Sequence, residues 1–87
     1  MKYKAIKMSP SDNVAIAVMS IPKGKTVFIR GNEELVVTGE IPPGHKIGLV
    51  SITKGASIIR YGEVICTASQ DIQRGDWIHT HNTEVEQ

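Results

Sequence analysis

The sequence predicts an all-β domain of short strands joined by tight turns. Three observations carry this. Short runs rich in Ile, Val and Thr recur along the chain, Gly- and Pro-containing clusters punctuate them, and no window sustains an apolar pattern at helical period. Aromatic residues make up only 5% of the chain, so the core has to be built from Ile, Val, Leu and Ala. The 87 residues make one domain, 1–87, with its core at about 3–83. Burial on folding is modest at this size.

The elements follow in order. Residues 4–8 form a short leading strand, and Ser9-Pro10-Ser11-Asp12-Asn13 is a turn cluster. The apolar run 14–19 is too short for a helix and is stopped by Ile21-Pro22-Lys23-Gly24, which predicts a buried strand. Runs 26–29 and 34–38 flank Arg30-Gly31-Asn32-Glu33 and predict a hairpin. Ile41-Pro42-Pro43-Gly44 is a second hard stop. Strands are expected at 47–50, 57–60 and 63–67, with Tyr61-Gly62 as the hairpin turn between the last two. A final strand is expected at 76–80.

An internal repeat sharpens the architecture. Ile-x-x-Gly occurs at Ile21-Gly24, Ile41-Gly44, Ile52-Gly55 and Ile72-Gly75, and a shift of 31 residues relates the pairs. Overlaying 14–44 on 45–75 gives eight identities. About two are expected from composition. The unit is strand, Ile-x-x-Gly turn, strand, hairpin turn, strand, Ile-x-x-Gly turn, and two units can intertwine with pseudo-two-fold symmetry. The glycines answer a backbone need rather than cradle a phosphate. The histidines fall in different slots of the unit, so the repeat did not place them.

Composition bounds the partners. A net charge of +1 and a pI near 7.9 argue against nucleic acid or a membrane bound by bulk charge. Cys66 is the only cysteine and has no internal partner. Met1-Lys2-Tyr3-Lys4 lacks the apolar stretch of a secretory signal, and the expected compartment is the reduced cytoplasm.

Chemistry concentrates in the tail, Gly75-Asp76-Trp77-Ile78-His79-Thr80-His81-Asn82. In an extended chain His79 and His81 point to one face and can share a metal ion or an anionic ligand. Further ligands would come from His45, Glu63, Asp76, Glu84 or another chain. No Cys-x-x-Cys or His-Glu-x-x-His pattern is present to make a self-contained zinc site. The bland alternative is a pair of exposed histidines near a chain end. Trp77 has the same strand parity and either walls that pocket or, the better reading, fills the core. His45-Lys46 at a turn-to-strand junction can bind a carboxylate, with Lys supplying fixed charge and His a switchable donor. Tyr61 and Glu63, at a turn, are a hydrogen-bond donor and a base or ligand, or simply solvated. Cys66, in an apolar strand with no activating cation nearby in sequence, is expected to be buried and inert.

Taken together, Asp12-Asn13-Val14-Ala15, Pro43-Gly44-His45-Lys46, Lys54-Gly55, Tyr61-Gly62-Glu63-Val64-Ile65 and the tail motif resemble the SAF domain of the altronate and galactarate dehydratases, over about residues 3 to 83. The resemblance implies a β-clip fold. It implies a part in dehydrating a hexonate or hexarate sugar acid to a 2-keto-3-deoxy product, together with a large catalytic dehydratase subunit and a divalent metal, Fe(II) or Mn(II), held mainly by that subunit. Carried over by position, His45, His79 and His81 are the candidates for acid–base or metal work, with His79 and His81 as metal ligands shared with the partner domain. Lys46, Tyr61 and Asn82 are the candidates for gripping substrate. The family commonly has Gly where this chain has Cys66, and often His where it has Trp77. The chain ends just past the tail motif, as a separately encoded small subunit would. Self-association stays open. Two alternatives follow from the same resemblance: the small subunit of a sulfolactate sulfo-lyase, or a non-catalytic carbohydrate- or protein-binding module such as the SAF domains of sialic acid synthases, antifreeze proteins and pilus-assembly proteins.

Overall fold

The repeat is written in the backbone hydrogen bonds of the computed structural model, which describes residues 2–29 and 33–85. Ile21 and Ile41 exchange both of their backbone bonds, and so do Ile52 and Ile72, one repeat later. The Gly24 N–H donates to the Val37 carbonyl as that of Gly55 donates to Ala68. The Gly44 N–H donates to Ala17 as that of Gly75 donates to Gly48. All four glycines hold a left-handed φ, between 79° and 95°.

Every element is a short strand or a turn. In chain order they are β1 (Tyr3–Ile6), β2 (Val14–Ala17), β3 (Thr26–Ile29), β4 (Glu33–Val36), β5 (Lys46–Gly48), β6 (Ser57–Arg60), β7 (Glu63–Ala68), β8 (Trp77–Ile78), one turn of 3-10 helix (Thr80–Asn82) and β9 (Thr83–Glu84). Six strands form one sheet in the order β4-β3-β1-β2-β5-β8, and β6-β7-β9 form a second. The expected all-β class is found. Among the described residues no helix is long and apolar enough to cross a membrane.

Several bounds differ from expectation for local reasons. The leading strand begins at Tyr3, because it runs parallel to β3 with Tyr3 beside Val27. The second strand stops at Ala17, where the chain leaves the sheet toward the Ile21 bridge. The turn expected at Arg30-Gly31-Asn32 lies outside the described residues; the strands around it pair from Thr26↔Val36 to Ile29↔Glu33. The strand expected at 76–80 is two residues long rather than five, and β9 was not expected from the sequence.

The β6–β7 hairpin closes at Tyr61 and Gly62, whose φ values of 57° and 74° mark a two-residue type I′ turn. A bulky residue rarely holds positive φ without support. Buried Asp12 supplies it: its carboxylate accepts the N–H groups of Tyr61 (3.1 Å), Gly62 (2.8 Å) and Ser9 (3.0 Å). Burial opposes ionisation of Asp12, but the backbone bonds from Gly62, Tyr61, Ser9 and Met8 outweigh it and hold the carboxyl below its ordinary value. Asn13 extends the clasp by bonding Ser57 and Ile59.

The apolar interior forms two clusters. One gathers Ile21, Val27, Leu35, Ile41 and Ile47, and the other Ile52, Ile58, Cys66, Ile72 and Ile78. Each member of the second set is the repeat mate of a member of the first. Cys66 lies in the second cluster, and burial pushes its thiol up, in keeping with an inert cysteine.

Candidate functional site

The site grows from one strand used three times. β2, β5 and β8 are successive repeat copies, and they lie side by side, antiparallel, in the large sheet. Lys46 faces Ile78 and Ile47 faces Trp77 across β5–β8, so the next pair outward is His45 with His79. Their rings lie 4.9 Å apart. Trp77 sits diagonally between them in this ladder, 5.7 Å from the His45 ring and stacked on His79 at 5.2 Å with only 7° between the planes. The His81 ring approaches the same indole at 5.3 Å. Three histidines scattered over repeat slots thus converge on one tryptophan.

A side-chain lock shapes the tail. β8 ends at Ile78, and residues 80–82 turn as a 3-10 helix rather than continuing the strand. Buried Asn82 causes this. Its Oδ1 accepts the His79 N–H at 3.0 Å and its Nδ2 donates to the Trp77 carbonyl at 2.9 Å. Thr83 adds a hydroxyl bond to the His79 carbonyl at 2.9 Å. The extended-strand premise for His79 and His81 is therefore corrected: their parity is broken by the turn that Asn82 closes.

The two imidazoles consequently line different clefts. His81, with Trp77, Asp76, Glu40 and Thr38, lines an open cleft of about 490 Å³. His79, with Lys46, Thr80, Thr83 and Ile65, lines one of about 290 Å³. The first carries two carboxylates, of which Asp76 is bound by the Thr38 hydroxyl and the Gln73 N–H. Among the described residues no acidic side chain lines the second, and Lys46 is its one lysine or arginine. The larger cleft thus suits hydroxyl or cationic groups, and the smaller one a carboxylate.

His79 and His81 are exposed, while His45, Lys46 and Trp77 are half-buried. Trp77 is both wall and packing: it abuts the first core cluster and lines the larger cleft. Its Nε1–H donates to His45 Nδ1 at 3.1 Å. Tyr61 stands apart at the tip of the β6–β7 hairpin, 60% exposed, with the Arg60 guanidinium 5.5 Å from its ring. Among the described residues no three His, Cys, Asp or Glu side chains are grouped to hold a metal ion. With His45 Nδ1 committed to Trp77 and the other two imidazoles facing different clefts, this donor set does not fit a metal held by this chain alone.

Sequence reasoning overlooked Asp12 and undervalued Trp77. Asp12 lies some fifty positions from the turn it clasps, and nothing local signals the contact. Trp77 was legible only as the one large aromatic beside two histidines.

Comparison with known proteins agrees with this frame. The family model described as the altronate/galactarate dehydratase SAF domain matches residues 3–86. The chain is 44% identical over 80 residues to an altronate dehydratase of Bacillus subtilis and 38% identical over 80 residues to one of Escherichia coli, in each case 92% of this chain and 16% of the relative. It is 35% identical over 51 residues to the alpha subunit of a (2R)-sulfolactate sulfo-lyase from Paracoccus pantotrophus, which is 59% of this chain and 76% of that subunit. The chain therefore spans about one sixth of the dehydratases it matches. A repeat-built β scaffold, a histidine cluster around Trp77 of the edge strand β8 and a match over nearly every residue lead to one conclusion: the chain belongs to the altronate/galactarate dehydratase SAF domain family.

Proposed function

We propose that this chain is the small subunit, or SAF portion, of a cytoplasmic sugar-acid hydro-lyase. It takes part in dehydrating altronate or a related hexonate or hexarate to a 2-keto-3-deoxy product, together with a large catalytic subunit. The observation that carries the reading is the convergence of His45, His79 and His81 on Trp77 beside the Lys46 cleft. A scaffold has no need of three clustered imidazoles.

Removing water next to a carboxylate requires a group to take the α-proton, a group to protonate the leaving hydroxyl, and positive charge near the enediolate. Exposed His79, beside Lys46 in the smaller cleft, and His81, in the larger one, are the candidates to move protons. Lys46 offers the cleft's fixed charge to the substrate carboxylate. Asn82 works by shaping the turn that presents both histidines. Tyr61, at the hairpin tip, meets substrate only where the partner reaches around it. The divalent metal, Fe(II) or Mn(II), belongs with the large subunit in this reading.

The test is an assay of altronate and galactarate dehydration by the large catalytic subunit with and without this chain, or in one polypeptide if the two are joined. Activity that needs both parts is the expected result. Equal activity without this chain, or none from the pair on any sugar acid, overturns the reading.

One observation favours a second reading. The sulfo-lyase alpha subunit is itself short, since 51 aligned residues make up 76% of it. Sulfite release from sulfolactate, with no turnover of altronate, would assign the chain to that chemistry instead.

A further inference from the structure

The Trp77–His45 bond determines where the His45 proton sits. An indole N–H can only donate, so the imidazole nitrogen 3.1 Å from it, Nδ1, has to accept. An imidazolium has no acceptor, and a neutral ring that accepts at Nδ1 carries its single proton on Nε2. The ring has little freedom to escape this. It is half-buried, stands at the start of β5 behind the Gly44 turn, and has Trp77 and His79 rings 5.7 and 4.9 Å away. Nε2 has no hydrogen-bond partner among the described residues and is left for a ligand.

We infer that Trp77 is a positioning residue that holds His45 as the neutral Nε2–H tautomer, so that His45 presents a fixed hydrogen-bond donor rather than a proton acceptor or a metal-binding nitrogen. A neutral imidazole that gave up this proton would become an imidazolate, so His45 donates a hydrogen bond without transferring the proton. The fitting ligand atom is an oxygen that carries or gains negative charge, such as a carboxylate or enediolate oxygen. Proton transfer then falls to His79 and His81. The role in turnover rests on the reading proposed above; the tautomer does not.

Long-range ¹H–¹⁵N correlation spectroscopy tests the inference on the chain without any ligand, at about pH 8, above the ordinary imidazole value. His45 is expected to show an unprotonated Nδ1 and a protonated Nε2, with a scalar coupling across the hydrogen bond from Trp77 Nε1. Trp77→Phe keeps a ring but removes the donor, and is expected to raise the Nδ1–H form of His45 several-fold. A protonated Nδ1 in the unmodified chain overturns the inference, and so does an unchanged tautomer ratio in the Phe variant. Should that variant fail to fold, the coupling in the unmodified chain decides, its presence supporting and its absence refuting. Because no substrate is used, a failed dehydratase assay and a failed tautomer assignment are separate results.

Discussion

Strands β2 and β8 are copies of one strand and have opposite characters. In β2 the first two positions are Val14 and Ala15, 1% and 0% exposed. The same slots hold His45, just before β5, with Lys46, and Asp76, just before β8, with Trp77, all half-buried. The backbone bonds around the copies are the same, since the Ala17 N–H donates to the His45 carbonyl as that of Gly48 donates to Asp76. Position in the sheet explains the difference. β2 is enclosed between β1 and β5, whereas β8 is an edge whose side chains face two clefts. The repeat fixes the frame, and the substitutions that break it supply the imidazoles and the indole of the candidate site.

The sharpest way to break the comparison is at the glycines. Gly44 and Gly75 are repeat mates with φ of 79° and 95°, yet their surroundings differ. A Cβ on Gly75 would run into the Val36 carbonyl, while one on Gly44 meets nothing within 4 Å. Gly75→Ala is expected to cost about 3 kcal/mol or more, from the left-handed backbone plus overpacking against main chain. Urea unfolding measures it. Equal costs at the two mates would show that the halves pack alike after all.

Asp12 gives the next largest effect. Its repeat mate is Pro43, whose side chain has no carboxylate to act as such a clasp. Asp12→Ala should cost about 2 kcal/mol, since three backbone donors lose a charged acceptor. The carboxyl is held below its ordinary 3.8, so its contribution is complete above that pH and is lost as pH falls through the lower, folded value. Denaturant titrations below pH 4 should show unmodified and Asp12→Ala chains converging in stability. Curves that stay parallel there would remove Asp12 as the cause. Gly44→Ala follows at about 1 kcal/mol, the left-handed backbone cost alone.

The smallest effect on stability belongs to the site. His79 and His81 are exposed, so replacing both with Ala should cost at most about 1 kcal/mol, mainly the lost stacking on Trp77. A loss several times larger would place them in the frame rather than in the site.

These contrasts explain what was legible in the sequence. The all-β class and the 31-residue repeat were readable because Ile-x-x-Gly turns are local and their glycines meet a backbone need at every occurrence. The candidate site was readable in its parts. Its assembly was not, because the register that sets Lys46 against Ile78, and hence His45 against His79, appears only when the strands are paired. The tail misled for a different reason. His79-Thr80-His81 has strand parity on paper, but the Asn82 amide bonds back to His79 and Trp77 and forces a turn. An Asn three residues after a candidate helix cap is a local signal and could have warned of it.

The central claim is that the two histidines following the edge strand serve turnover and not folding. The direct measurement is altronate and galactarate dehydration by the His79→Ala, His81→Ala double variant with the large catalytic subunit, alongside its unfolding curve. The account predicts a near-normal unfolding curve and activity lower by at least about 100-fold, the scale of losing a proton-transfer group. Undiminished activity in a folded double variant would contradict it.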